Sequence, residues 1–264
     1  MTDAGQALAG RVAVVTGGNR GIGRGIAVAM AEAGAAVAIS ARDTESLEAV
    51  AREVPALGAE CLATGCDVAD EGSVAAMGAA VMERFGRVDV VVANAGVAGP
   101  TRPMQELSLA EWRECLAIDL DGVFLTFRRF IPAMIEAGAG SLVAISSITG
   151  KRPLAGRAPY AAAKMAVIGL CRTLATDLGP QGIRVNAVCP GAVAGPRIDD
   201  VVRNQARLMG ITEGEARRQF TDPTPLRRLV EPDEVARTCV FLASDAASGI
   251  TGEDINVSAG LVMY

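Results

Sequence analysis

The chain has 264 residues, 50% hydrophobic, 21% charged and 3% aromatic, with 30 Gly, 12 Pro and 6 Cys, which excludes disordered, collagen-like and disulfide-stapled classes. Its 25 basic and 30 acidic residues leave a net charge of −5, with neither sign gathered into a run, so it carries no electrostatic footprint for nucleic acid or an anionic membrane. It contains no His, which rules out Ser-His-Asp and Cys-His hydrolysis within the chain and argues against zinc sites of the usual Cys/His spacing.

The first residues, MTDAGQALAGR, place an acid before any base and lack an apolar h-region, so they do not read as a secretory signal. The longest charge-free stretch, Ala137 to Gly150, is broken by Gly and Ser and falls short of the ~20 apolar residues of a spanning helix. A cytoplasmic protein without a membrane partner is expected. Short β-branched runs then alternate with longer Ala/Leu/Glu/Arg segments. The expected strands are Val12 to Thr16, Ala36 to Ser40, Glu60 to Thr64, Val88 to Ala93, Ser141 to Ser146, Arg184 to Val188 and Asp254 to Val257. Helical patterns begin near Ile22, Thr44, Glu71, Ser108, Pro159 and Pro232. This alternation predicts an α/β fold: one domain over 1–264, with a doubly wound parallel seven-stranded sheet and helices on both faces. The six scattered Cys, with no C-x-x-C pair, read as buried reduced thiols. One segment, 191–225, separates the sixth strand from the last helix and carries its own helical periodicity. Such insertions are usually functional; a substrate-covering lid is the reading favoured here, and a packing arm between subunits is the alternative.

The first strand runs into Thr16-Gly17-Gly18-Asn19-Arg20-Gly21-Ile22-Gly23 and then a helix. Glycines at a strand-to-helix turn let a pyrophosphate approach the main chain, where free N–H groups and the positive end of the helix dipole can hold it. The plain alternative is a tight turn with close helix packing. Ligands of open parallel sheets lie beyond the carboxyl ends of the strands. There the sequence places Asp67-Val68, Asn94-Ala95-Gly96, Ser146-Ser147 and Pro190-Gly191, which together outline a cleft, though each alone can cap a helix or end a strand. Tyr160-Ala161-Ala162-Ala163-Lys164 sets a phenol and an ammonium on one helix face. A nearby cation favours phenolate, which suits a Tyr to general acid/base duty. Such a pair alone is more often surface decoration. Ser147 stands at a strand end, where its hydroxyl can bind a substrate oxygen.

Taken together, these motifs resemble those of the short-chain dehydrogenase/reductase family, over Val12 to Gly260. TGGNRGIG is similar to the family's T-G-x-x-x-G-x-G cofactor turn, Asn94 to Gly96 to its strand-stabilising N-A-G, YAAAK to its Y-x-x-x-K and Pro190-Gly191 to its nicotinamide-side loop. The resemblance implies a Rossmann-type fold, a nicotinamide cofactor and an oxidoreductase of secondary alcohols or ketones. It further implies Tyr160 as proton donor or acceptor, Lys164 holding the ribose hydroxyls beside it, and Ser147 orienting the substrate oxygen. A cofactor site of Gly17, Asn19, Arg20, Gly21, Ile22, Gly23, Arg42, Asp67, Val68, Asn94, Gly96, Tyr160, Lys164, Pro190, Gly191 and Val193 follows. Family members are commonly tetramers, so a homotetramer or homodimer is expected, with Asn94 to Phe130 and Pro159 to Gly179 as candidate faces.

Two departures stand out. Where the family usually has an Asn that anchors a water chain to the Lys, this chain has Asp119, whose charge would pull on Lys164 or oppose phenolate formation; a small register difference in that helix is the alternative. No Thr follows Pro190-Gly191, so a carboxamide contact falls to backbone at Val193. For the cofactor's second phosphate, Ala41 stands where NAD-preferring members tend to carry Asp, and Arg42, with Arg20, can clamp a 2′-phosphate. NADP(H) is therefore favoured over NAD(H). Alternatively both arginines are solvated and Asp43 caps a helix. Arg197, Arg203, Arg207, Arg217 and Arg218 in the lid, and Arg102, Arg152 and Arg157 near the pocket, either face an anionic substrate or form solvated faces. A different class of function, a nucleotide-binding regulator without turnover, is hinted at by Asp119 alone.

Overall fold

The strands are built from residues that suit burial on both faces. β1 (Val12–Thr16), a run of Val and Ala ending in Thr, is buried along its whole length, as expected of a parallel strand covered by helices above and below. In a computed structural model, which describes residues 6–264, it is followed by β2 (Ala36–Ala41), β3 (Cys61–Gly65), β4 (Val90–Ala93), β5 (Gly140–Ile145), β6 (Ile183–Pro190) and β7 (Asp254–Val257). Of the amino-terminal stretch read for a leader, 1–5 lie outside the described residues. All seven strands pair in parallel in the order β3-β2-β1-β4-β5-β6-β7. The strand order reverses between β1 and β4, so the ligand-binding crevice of such a sheet lies beyond their carboxyl ends.

Among the described residues the six helical patterns become seven α-helices, and a short one at Ile148–Lys151 and two helices within 191–225 bring the number to ten. They are α1 (Gly21–Glu32), α2 (Thr44–Glu53), α3 (Glu71–Phe85), α4 (Leu109–Leu116), α5 (Gly122–Ala137), α6 (Ile148–Lys151), α7 (Ala158–Leu178), α8 (Pro196–Met209), α9 (Glu213–Thr221) and α10 (Pro232–Ala243). Alternate strand residues serve opposite layers, as period-2 side-chain alternation requires. Val15, Ile39, Val92 and Val143 pack with Ile26 of α1, Leu47 of α2 and Leu242 of α10. Val14, Val91, Leu142 and Val185 pack with Met77 of α3, Phe127 and Phe130 of α5 and Val167 of α7.

Two differences from the sequence pattern bear on function. The pattern starting at Ser108 is not one helix: α4 passes through a π-helical turn, Ala117–Asp121, into α5, and such turns often mark functional sites. The segment 191–225 holds α8 and α9, the latter opened by a Thr212/Glu215 capping box. These two helices share a small core of Ile198, Val201, Val202, Ala206 and Ala216. The carboxyl end is only partly apolar packing, for Val262 is buried while Met263 and Tyr264 are exposed.

Among the described residues no helix is long and apolar enough to cross a membrane. The six cysteines are free, and burial pushes the thiols of Cys171 and Cys239 up to about 12, so they stay protonated as inert packing groups.

The last strand is fixed by charge. Lys151 of α6 reaches Asp254 Oδ2 at 2.5 Å and Arg172 of α7 reaches its Oδ1 at 2.6 Å. Burial alone would raise the Asp254 carboxyl, but the hydrogen bonds from Lys151 and Arg172 hold it below its ordinary value. A carboxyl depressed in this way adds stability that is present at neutral pH and lost as the pH falls through its folded-state value. Asp254→Asn, which leaves the Lys151 ammonium with only the neutral acceptors Asn256 Oδ1 and the main-chain carbonyl of residue 254, is expected to cost about 3 kcal/mol at pH 7 in urea unfolding. The gap between variant and native protein should close below the ordinary carboxylate range; a gap that persists in acid would contradict this account.

Candidate active site

The turn after β1 holds four glycines, Gly17, Gly18, Gly21 and Gly23. Gly17 and Gly21 have φ of +65° and +55°, left-handed values that glycine adopts without strain. A Cβ on Gly17 would lie 2.9 Å from Ala95 Cα, and one on Gly23 would lie 2.0 Å from Gly17 O, so both positions permit close packing of turn, helix and the β4 tip. A Cβ on Gly21 would meet nothing within 4 Å, so the space in front of α1 is open. No side chain caps α1, whereas Asp43, Asp70, Ser108 and Thr212 cap α2, α3, α4 and α9. Uncapped amides and the positive dipole end then face open space, an arrangement that fits the diphosphate of a dinucleotide. Ile22 is half-buried behind the turn, and Asn19 Nδ2 donates to Ser46 Oγ at 2.8 Å, tying the turn to α2.

The second strand ends in buried Ala41, followed by exposed Arg42. Arg20 is exposed as well. Asp43 accepts from Ser46 N at 3.2 Å, and hydrogen bonds from Ser46, first from its side chain, hold the carboxyl below its ordinary value. Asp43 is thus the cap of α2. At the tip of β3 the Asp67 carboxylate accepts from Ala69 N at 3.1 Å within its own turn. Val68 is buried there, and a Cβ on Gly122 would come within 2.7 Å of its side chain. β2 lies between this edge and β1.

Asn94 links the two central strands. Its Nδ2 donates to Thr16 O at 2.9 Å and to Gly17 O at 3.2 Å, and the backbone amides of Asn94 and Ala95 both donate to Thr16 Oγ1 at 3.1 Å. Thr16, read in the sequence only as the start of the glycine turn, is therefore part of the scaffold. Gly96 follows, and a Cβ there would sit 2.5 Å from Asp119 Oδ1.

Around the tip of β5 the Y-x-x-x-K pair meets the serine. Lys164 is buried; its Nζ lies 3.1 Å from Asp119 Oδ1 and donates to Ile145 O at 3.1 Å. Ser146 Oγ donates to Lys164 O at 2.7 Å, so the residue before Ser147 is bonded to the backbone of the lysine. Ser147 caps α6, its Oγ accepting from Thr149 N at 3.1 Å. The half-buried Tyr160 ring has Lys164 Nζ at 5.6 Å and the Arg157 guanidinium at 4.7 Å from its centroid. Asp119, 0% exposed, also accepts from Val97 N at 3.3 Å and from the Cys115 thiol at 3.5 Å. The π-helical turn thus brings Asp119 onto Lys164 directly, and the alternative of a shifted register does not hold.

On the other side, Gly191 N donates to Val257 O at 2.9 Å, so Pro190-Gly191 is held against β7. Val193 pairs with Val230 in an isolated parallel bridge whose hydrogen bonds use Ala192 O and Ala194 N, leaving the amide and carbonyl of Val193 outside that ladder. Of the arginines considered for an anion, Arg203 pairs with Asp200 at 2.7 Å, Arg217 with Asp199, and Arg102 with Glu111 at 3.3 Å. Those three serve the protein's own carboxylates. Arg197 donates to Gly96 O, fastening α8 over the β4 tip. Arg157, read in the sequence as either facing an anionic substrate or forming a solvated face, is not solvated: it is buried against Tyr160.

Known proteins resemble the chain over nearly its whole length. A family model described as Enoyl-(Acyl carrier protein) reductase matches residues 17–262. The chain is 42% identical to a Cis-4-hydroxycyclohexanecarboxylate dehydrogenase of Sinomonas cyclohexanicum, over 97% of this chain and 98% of that protein. It is 36% identical to a Levodione reductase of Leifsonia aquatica, over 95% and 93%. Among solved structures, an NAD+-bound xylitol dehydrogenase superposes with a TM-score of 0.93 at 30% identity, covering 96% of this chain and 99% of that one. An actinorhodin polyketide ketoreductase with NADPH does so with a TM-score of 0.92 at 36% identity, covering 96% and 98%. The chain belongs to the short-chain dehydrogenase/reductase family and is an oxidoreductase.

Proposed function

We propose that this protein interconverts a secondary alcohol and a ketone with NADP(H), Tyr160 acting as general acid in reduction and general base in oxidation. The observation that carries the reading is the junction at the tip of β5, where Lys164 bonds Ile145 O and Ser146 bonds Lys164 O, drawing Ser147 and the Y-x-x-x-K turn into one corner. The nicotinamide, when bound, supplies or accepts the hydride. The chain's own groups manage position and proton. Ser147 Oγ already accepts from Thr149 N, so its hydroxyl hydrogen is left to donate to the substrate oxygen. Tyr160 gives that oxygen its proton, or takes it. An ammonium has three donors; Asp119 and Ile145 O take two of Lys164's, and the third serves a ribose hydroxyl. Asp119 fixes the ammonium and forms the inner end of the proton relay. The amides at Gly21 to Gly23 hold the diphosphate, and the Val193 backbone holds the carboxamide.

For the cofactor, relatives bearing NAD+ and NADPH both exist. What favours NADP(H) is the absence of a carboxylate at Ala41 and two exposed cations, Arg42 and Arg20, beside it, with Asp43 occupied in capping. For the substrate, α8 and α9 serve as the lid. The exposed apolar residues Leu109, Phe124 and Met165 lie on the segments expected to pack in a homotetramer or homodimer, which light scattering of the native protein measures.

One observation favours the second reading, a nucleotide-binding regulator without turnover: Lys164 is already in a buried ion pair with Asp119. Turnover of a ketone panel that includes an oxocyclohexanecarboxylate and a 3-oxoacyl compound decides between the two. Tyr160→Phe is expected to lower kcat/KM about a thousandfold, in the range of a lost general acid, with cofactor affinity unchanged. Negligible turnover by both native protein and variant, with tight cofactor binding, would establish the regulator. In the same assay Arg42→Ala should cut the NADPH-over-NADH preference about tenfold, the scale of one charge-assisted hydrogen bond; an unchanged ratio would remove the clamp.

A further inference from the structure

Arg157 occupies an unusual place. It precedes α7 as its N-terminal flanking residue, without a side-chain cap bond to the helix, and is 4% exposed. A guanidinium carries five N–H donors, yet the only hydrogen bond it makes among the described residues is from Nη2 to Ala98 O at 2.5 Å, and its Nε is buried without a partner. Burying an arginine with so few bonds is costly unless its charge finds another counterpart. The counterpart within reach is the face of Tyr160, whose ring centroid lies 4.7 Å from the guanidinium carbon.

The charges around that phenol add up in a particular way. Lys164, on the same helix face, is paired at 3.1 Å with Asp119 of the π-helical turn, and both side chains are shielded from water. That pair is neutral as a unit, so the ammonium alone offers a phenolate little net positive field. Cys115 of α4 donates to Asp119 Oδ2, and burial first, then Asp119, pushes its thiol up to about 12, so it adds no charge. From α8, Arg197 is committed to Gly96 O. Arg102 is paired with Glu111 at 3.3 Å. From the β5 side come only Ser146 and Ser147. Of the two buried cations against the ring, Arg157 and Lys164, Arg157 is the one that makes no ion pair with a carboxylate among the described residues. Burial, the largest influence, pushes its guanidinium down from the ordinary value; a negative charge on Tyr160 acts the other way, as does Asp119, and Arg197 adds to the lowering.

We propose that Arg157 is a positioning residue for the acid/base step, supplying across the face of Tyr160 the positive charge that Asp119 cancels on Lys164. A cation over an aromatic face is attracted to the ring while the phenol is neutral and more strongly once the oxygen carries charge. The guanidinium also fixes the ring's orientation, since its remaining bond to Ala98 O ties it to the loop after β4. This rests on the reading of Tyr160 as acid/base, yet it can be tested without substrate or cofactor. The chain has two tyrosines, so Tyr264→Phe leaves Tyr160 as the only phenol.

In that background, the near-ultraviolet rise of phenolate absorbance is followed against pH in the full-length protein for Arg157→Met, Arg157→Lys and Asp119→Asn. Arg157→Met is expected to move the midpoint up by about one pH unit, the low end of the effect of an opposite charge at this range. Arg157→Lys should restore most of it, and Asp119→Asn should move it down. Unchanged midpoints in a folded Arg157→Met, or equal displacement by Met and Lys, would overturn the proposal. Should Arg157→Met fail to fold, the Lys and Asn variants decide: an Arg157→Lys midpoint within a few tenths of the parent's, with a lowered Asp119→Asn midpoint, supports it, and an unmoved or raised Asp119→Asn midpoint overturns it. Activity separates the two readings. If Tyr160→Phe retains native turnover the acid/base assignment fails whatever the titrations give, whereas a dead Tyr160→Phe with immobile midpoints removes Arg157 alone.

Discussion

The site is organised around one buried ammonium. Lys164 sits out of water between Asp119 and the carbonyl of Ile145, and a charge in that position must be paired and hydrogen-bonded to be tolerated. Those two bonds fix α7 against the end of β5 and against the π-helical turn at the same time. The close approach of Asp119 requires Gly96 to lack a side chain, since a Cβ there would stand 2.5 Å from its carboxylate. Tyr160, one helical turn before the lysine, lies on the helix that these contacts fasten to the end of β5.

The parallel sheet supplies the rest. Because all strands run one way, their carboxyl ends open on a single side, and the glycine turn, Asn94, Ser147 and Pro190-Gly191 arrive there together. Asn94 then reaches back to Thr16 and Gly17, closing the gap at the point where strand order reverses. Across this opening lie α8 and α9. Arg197 fastens them to Gly96 O, and Gln205 Nε2 donates to Ala155 O at 2.8 Å, so the segment bears on both the β4 loop and the approach to α7. Most other arginines nearby spend their charge within the protein, which directs attention to the few that do not.

Much of this was legible in the sequence because period and punctuation report local physics. Runs such as Val12 to Thr16 and Val88 to Ala93 read as buried strands by their length and β-branched residues, the second starting in fact at Val90, and T-G-G-N-R-G-I-G placed between a strand and a helix reads as a phosphate-binding turn. Tyr160 and Lys164 stood out by spacing, and Asp119 by what the family resemblance led one to expect there. What was hidden depends on contacts between distant segments. No local pattern distinguishes a π-helical turn from the regular helix expected to begin near Ser108, because the extra residue is accommodated by Asp119 pairing with Lys164, 45 positions away in sequence numbering. Arg157 looked like any other charged residue near the pocket, since its burial depends on Ala98 and the Tyr160 ring. The short α6 and the split of 191–225 into α8 and α9 were likewise set by capping and tertiary packing, with Thr212 and Glu215 the one local signal available.

The corner formed by β5 and α7 is proposed to present the hydroxyls of Ser147 and Tyr160 to a nicotinamide lying across the strand tips. A crystal structure of the complex with NADP(H) tests it most directly. The account predicts both hydroxyls facing the reactive carbon's side of the ring, Lys164 within hydrogen-bond reach of the ribose, and the diphosphate over Gly21. A complex in which packed protein separates the Tyr160 hydroxyl from the nicotinamide, or in which the cofactor binds elsewhere, would contradict it.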